Sequence, residues 1–300
     1  MLQNRNVERL PKGKYLSHRL RGYADYENSA SGLQKSLAHN VGNIEFDVRI
    51  TKDDVLILGH DPFFETSSGK FDFYSNLTFE ELSKVSKFPV ETLESFLEEY
   101  SLLRSKQNTT FLHIDIKFSG YEQETLNLIL HYLNFDEFYI VSWLPEVLLK
   151  YHEISSEIRL CLSHIPAAKF KVSYWFLKII FNSVTTPFFA KIAKIYSARR
   201  SVFYESLEFR HKNFNRQKDV IHNKNVICVF KPYAGPDLLS VVEKTKGYVC
   251  IPVESLSDTL VDYYKSKNVN IASFSYLSHE QALDYDKRYD LDLYYSNFQL

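Results

Sequence analysis

Cysteine is scarce in this sequence. Cys161, Cys228 and Cys250 are the only three in 300 residues. They are odd in number and far apart, and no two make the close pair of a structural zinc site. That pattern argues for reduced, mostly buried thiols in a cytosolic protein. An excess of one charge is also missing: 36 basic residues face 37 acidic ones, for a net charge of −1. This balance offers no electrostatic basis for binding nucleic acid. The opening MLQNRNVERLPKGKY is polar and lacks the apolar core of a signal peptide, so secretion by that route is not expected. There is no internal repeat and no low-complexity tract. The most apolar run is broken by Lys178, which argues against a spanning helix.

What is present is enough for a large core, with 45% hydrophobic and 15% aromatic residues. Ten short runs read as strands: KYLSHR, NIEFDVRI, VLILGH, FLHIDIK, FYIVSW, IRLCLSH, VICVFK, YVCIPV, NIASFSY and LDLYYS. Several are nearly continuous apolar runs, as expected of parallel strands covered on both faces. Between many of them lie helical patterns: SASGLQKSLAHN, TLESFLEEYSLL, QETLNLILHYL, PEVLLKYH, DLLSVVEK and DTLVDYYKSK. Strand alternating with helix places the chain in the α/β class. About eight such units over residues 1–300 suit one (β/α)₈ barrel domain better than an open sheet. VLILGH reads as an extension of the second unit, and VICVFK has no settled place.

The segment at about 166–225 breaks the rhythm, after about the fifth strand. Its first part, KFKVSYWFLKIIFNSVTTPFFAKIAKIYSARR, carries five lysines and two arginines and no acid. It reads as a helical, basic and aromatic insertion, divided at Pro187. Apolar bulk, aromatics and cationic edges suit a helix lying in a membrane interface, so peripheral membrane contact through 166–204 is one expectation. The other is a lid or helical pair packed on the barrel with its lysines in water.

Chemistry concentrates in NIEFDVRITKDDVLILGHD, Asn43 to Asp61. Residues two apart on a strand share a face, which pairs Glu45 with Asp47 and, in HIDIK, Asp115 with Lys117. At the C-terminal mouth of a parallel barrel, three meeting carboxylates need a cation between them, and hard oxygen donors suit Mg²⁺ or Ca²⁺. His18, joined to Arg19, and His60, joined to Asp61, each end a strand run. Two imidazoles can serve as general acid and base, and a guanidinium beside one can hold a phosphate. Together these residues make a kit for phosphodiester hydrolysis. The other eight histidines read as ordinary core or surface residues.

The run from His18 to Asp61, HRLRGYADYENS followed by NIEFDVRITKDDVLILGHD, closely resembles glycerophosphodiester phosphodiesterases. FPVETLESFLEEY and HIDIK continue the likeness more loosely, over roughly two thirds of the chain but not the insertion. The resemblance implies a (β/α)₈ barrel with His18 and His60 as the catalytic pair. It implies Glu45, Asp47 and Asp115 as ligands of one divalent cation, Mg²⁺ or Ca²⁺, and Arg19 and Lys117 as the phosphate-binding cations. Glu27 is implied as a support at the helix start, and Trp143 as an aromatic wall of the pocket. Several positions depart from the family pattern: Leu20 stands for a glycine, Tyr26 for a proline, and Asp115 for a glutamate. FSYL and SNF replace its Trp-Thr and Thr-Asp endings. The expected activity is metal-dependent hydrolysis of a small-molecule or lipid-derived glycerophosphodiester to a phosphomonoester of sn-glycerol 3-phosphate type and an alcohol. Two alternatives stand beside it: the same chemistry on a lysophospholipid or glycerol-phosphate polymer at a membrane surface, or a barrel that binds phospho-ligands without turnover.

Overall fold

Alternation of side chains along strands decides how this chain closes. In the computed structural model, residues 10–104, 110–163, 234 and 236–300 are described. Among them, eight strands lie parallel: β1 (Tyr15–His18), β2 (Asn43–Ile50), β6 (Phe111–Ile116), β7 (Phe138–Ser142), β8 (Arg159–Ser163), β9 (Tyr248–Pro252), β10 (Asn270–Tyr276) and β11 (Leu293–Ser296). The order β1-β11-β10-β9-β8-β7-β6-β2 is closed by pairing of β1 with β2, which makes a (β/α)₈ barrel.

One face of each strand points out toward the helices. Ile44, Phe46 and Val48 of β2 and Leu112, Ile114 and Ile116 of β6 join Phe96, Leu97 and Tyr151 in the main apolar cluster. The other face fills the barrel, where Leu16, Val141, Cys161, Cys250, Ala272, Leu293 and Tyr295 form a second, smaller cluster. Cys161 and Cys250 are buried free thiols, as expected from their spacing, while Cys228 lies outside the described residues.

Helices α1 (Ala30–Ala38), α3 (Leu93–Leu103), α4 (Glu122–Tyr132), α5 (Pro145–Ile154), α6 (Pro236–Lys244) and α7 (Asp258–Lys265) match the six helical patterns. The side chains of Ser29, Thr92 and Ser257 accept hydrogen bonds from the first-turn N–H groups of α1, α3 and α7 and so fix where these helices begin.

VLILGH contributes β3 (Leu56–Leu58), which runs antiparallel to β2 and extends the second unit as a hairpin. Four elements carry no pattern strong enough to read: the hairpin β4 (Phe63–Glu65) and β5 (Phe71–Phe73), and helices α2 (Phe79–Val85) and α8 (His279–Tyr289). They are short or polar. Helix α8 buries only Ala282 and Tyr289, so it lacks the apolar stripe that reveals an amphipathic helix. The proposed insertion at 166–225 and the VICVFK run lie outside the described residues. Among the described residues, no helix is long and apolar enough to cross a membrane.

Candidate active site

The C-terminal ends of β1, β2 and β6 stand side by side, with His18 level with Glu45 and Asp47 level with Asp115. Parallel register therefore gathers residues spread over about a hundred positions of sequence. Glu45, Asp47 and Asp115 are all buried, and one carboxylate oxygen from each lies within 4.8 Å of the others. Backbone and side-chain groups hold this cradle from outside. Asn28 clamps Asp47 twice: its Nδ2 donates to Asp47 Oδ2 at 3.0 Å, and its Oδ1 accepts from the Asp47 N–H at 3.0 Å. The Arg19 N–H donates to Glu45 Oε2 at 2.9 Å.

The two expected phosphate-binding cations border the cradle. Lys117 Nζ lies 3.0 Å from Asp47 Oδ1 and 2.5 Å from Asp115 Oδ2. Arg19 Nε is 3.4 Å from Asp47 Oδ2, and its Nη1 is 3.5 Å from Glu27 Oε1. Glu27 also accepts from Arg21 Nε at 2.9 Å, so this carboxylate orders both arginines of the β1–α1 loop.

That loop tolerates the departure at residue 20. Arg19 and Leu20 both adopt left-handed backbone, at φ 55° and 60°, a conformation that costs a non-glycine residue about 1–2 kcal/mol. Leu20 offsets this by being fully buried against α1, where a Cβ on Gly32 would come within 2.8 Å of Leu20 Cβ. The room that a glycine would leave in the loop is thus taken from the helix.

Burial and close charge set the protonation states. Glu45 is driven well above the ordinary carboxylate range, first by burial and then by Asp47 and Asp115. For Asp47, burial pushes the same way, but Lys117, Arg19, His60 and the Asn28 hydrogen bond together hold it well below that range. Lys117 is raised, because Asp115 and Asp47 outweigh the burial that disfavours its charge. The donor set fits a hard divalent cation: three clustered, buried carboxylates, with Asp115 Oδ1 lacking a hydrogen-bond partner among the described residues.

His60 follows β3 and is pinned through its backbone. Its carbonyl accepts from Arg49 Nε at 2.9 Å and Nη2 at 2.6 Å, and the Gly59 N–H donates to the Asp47 carbonyl at 3.0 Å. A side chain at Gly59 would meet Tyr74 Oη at 2.9 Å, so the close approach requires glycine. His60 Nδ1 is 2.9 Å from Asp61 Oδ1. His18 closes the other side, with Nε2 3.9 Å from Glu45 Oε2 and Nδ1 2.8 Å from Asn297 Oδ1. Burial, then the nearby arginine charge, lowers the pKa of both imidazoles, that of His18 the further.

Trp143 stands just beyond β7, buried in the main apolar cluster. Asn28, Arg49, Ser275 and Asn297 are contributors that sequence reading missed. Asn28 adjoins Glu27 in the resembling run and could have been found there. Arg49 carries no local signal, and Ser275 and Asn297 lie in FSYL and SNF, which read only as departures from the family pattern because their partner His18 arrives on folding.

Comparison with known proteins identifies the family of this chain. Residues 12–177 match the model of the glycerophosphoryl diester phosphodiesterase family. A glycerophosphodiester phosphodiesterase of Caldanaerobacter subterraneus subsp. tengcongensis is 27% identical over 128 residues, 39% of this chain and 51% of the relative. Human glycerophosphodiester phosphodiesterase 1 is 23% identical over 164 residues, 50% of this chain and 49% of the relative. The matches thus span about half the length of these curated relatives. Among solved structures, a glycerophosphodiester phosphodiesterase from Thermotoga maritima superposes with a TM-score of 0.55 at 15% identity, covering 95% of this chain and 94% of the other. An Oleispira antarctica phosphodiesterase in complex with the product sn-glycerol-3-phosphate gives 0.58 at 15% identity, over 95% and 93%. The structures speak for the fold, and the family match covers more than half of the sequence: this chain belongs to the glycerophosphoryl diester phosphodiesterase family.

Proposed function

We propose that this protein hydrolyses glycerophosphodiesters to a phosphomonoester of sn-glycerol 3-phosphate type and an alcohol, with Mg²⁺ or Ca²⁺ held by Glu45, Asp47 and Asp115. The observation that carries this reading is the meeting of three buried carboxylates with Arg19, Lys117 and His18 at one barrel mouth. His60 is near enough to be felt electrostatically by Asp47. Membership of the family and the sn-glycerol-3-phosphate complex of the Oleispira antarctica relative support the same chemistry.

The cation, when bound, supplies charge that stabilises the phosphoryl oxygens. Arg19 and Lys117 add two fixed positive charges and orient the phosphate before reaction. One histidine takes the proton of the attacking oxygen as the new P–O bond forms. The other gives a proton to the alcohol oxygen as its P–O bond breaks. Attack by water yields the monoester directly, whereas attack by a neighbouring glycerol hydroxyl yields a cyclic phosphate first. Residues 1–300 act in this reading as one barrel domain carrying the 166–225 segment as an insertion.

The test is turnover of glycerophosphocholine by the purified protein in Mg²⁺, in Ca²⁺ and in EDTA. Product formation that requires a divalent cation supports the proposal; binding without turnover under all three conditions sinks it. The basic, aromatic composition of 166–204 favours a second substrate source, a lysophospholipid at a membrane surface. Equal binding to anionic vesicles by the parent and by a 166–204 deletion would remove that reading.

A further inference from the structure

Two oxygens converge on a single ring nitrogen of His18. Asn297 Oδ1 lies 2.8 Å and Ser275 Oγ 3.1 Å from Nδ1, while among the described residues Nε2 faces Glu45 Oε2 at 3.9 Å. An amide oxygen accepts and cannot donate, so the Asn297 contact calls for a hydrogen on Nδ1, and in the neutral ring the lone pair then lies on Nε2, on the side of the carboxylate cradle.

Both partners are delivered by the ends of the last two strands. The pairing of β10 with β11 shifts register between Phe274 and Tyr276, so Ser275 is an extra residue against the step from Tyr295 to Ser296. A bulge of this kind re-aims a side chain. Here it lets two successive residues reach His18: the Phe274 ring lies 6.3 Å from the imidazole and Ser275 Oγ meets Nδ1. Asn297 follows β11, and its backbone N–H donates to the Tyr276 carbonyl at 2.9 Å, which ties it to the same end of β10. Gly22, at φ 83°, packs so tightly on the next residues that a Cβ there would lie 2.5 Å from the Gln299 backbone nitrogen. The Tyr295 ring stands edge-on to His18 at 5.6 Å and completes the enclosure.

On the reading of His18 as one of the two proton carriers, we propose that Asn297, assisted by Ser275, is a positioning residue. It fixes His18 as the Nδ1–H tautomer and aims Nε2 at the reacting oxygen. Neither side chain need touch the substrate.

Nitrogen-15 NMR of the parent protein tests the tautomer directly, and kinetics of Asn297→Leu, Asn297→Asp and Ser275→Ala test its use. The expected spectrum has a protonated Nδ1 and an unprotonated Nε2 on His18 at neutral pH. Asn297→Leu should lose about 10- to 100-fold in kcat with KM little changed, by analogy with other residues that orient a working histidine. Asn297→Asp, which keeps an acceptor oxygen, should recover most of that loss, and Ser275→Ala should lose less than Asn297→Leu. An Nε2–H tautomer in the parent overturns the proposal, as does unchanged kcat in Asn297→Leu. Should Asn297→Leu fail to fold, the parent spectrum and Ser275→Ala still decide. If the parent turns over no glycerophosphodiester, the functional reading fails while the spectrum independently judges the tautomer.

Discussion

The barrel interior has two unlike walls. Strands β1, β2 and β6 present His18, Glu45, Asp47 and Asp115, with Arg19 and Lys117 beside them, whereas β7 to β11 present Val141, Cys161, Cys250, Ala272, Leu293 and Tyr295. The charged wall survives burial because opposite charges are interleaved at 2.5 to 3.4 Å rather than separated. The β7–β11 wall brings no acid to the cradle among the described residues, and its polar contacts with His18 come from Ser275 and Asn297 at the ends of β10 and β11. Its buried apolar side chains lower the local polarity, which raises the cost of every unneutralised charge across the barrel. Glu45 and His18 record that cost in pKa values displaced toward their neutral forms. On the proposed reading, one wall would serve a bound cation and proton transfer with charge, and the other would lower the polarity around them.

Experiments can break this contrast. The largest effect is expected from His18→Ala or His60→Ala, each of which should lower kcat/KM by about 10²- to 10⁴-fold at neutral pH. Steady-state assay on a glycerophosphodiester checks it, and unchanged turnover in either variant removes that histidine from the proton-carrying pair. Lys117→Met should cost about 3–5 kcal/mol of stability without divalent ions, because Asp47 and Asp115 lose their buried partner. Adding Mg²⁺ or Ca²⁺ should recover part of it, read as a larger rise in melting temperature than in the parent.

A smaller effect belongs to His113, fully buried with neither ring nitrogen hydrogen-bonded and its ring stacked 4.6 Å from Tyr139. Burial pushes its pKa down to about 3 from the ordinary 6.5. The unfolded chain binds the proton that the native ring refuses, so this contribution to stability is complete above pH 6.5 and declines as pH falls toward 3. Between pH 7 and 5 the loss should be about 2 kcal/mol. Denaturant melts of the parent and of His113→Phe at both pH values measure it; equal pH dependence in the two would refute it. The smallest effect is expected from Gly22→Ala. Left-handed backbone alone should cost about 1–2 kcal/mol, and a melting temperature equal to the parent's would contradict the packing described.

Much of the charged wall was legible in the sequence. Glu45 and Asp47 two residues apart, Asp115 and Lys117 likewise, and histidines closing strand runs state their chemistry and their face without any contact being known. The uncharged wall was legible only as strands, since Val141 or Ala272 reads the same whether it faces the barrel or the helices. Helix α8 escaped notice because it buries so little, and the β4–β5 hairpin because its strands have three residues each.

By itself, then, the sequence determined the period of the elements, the α/β class and the residue types of the cradle, because alternation and chemical character are properties of neighbours along the chain. Tertiary structure alone decided which partners those residues meet. Asn297 lies 279 residues from His18, and it becomes a neighbour only when β11 pairs with β1 and the barrel closes.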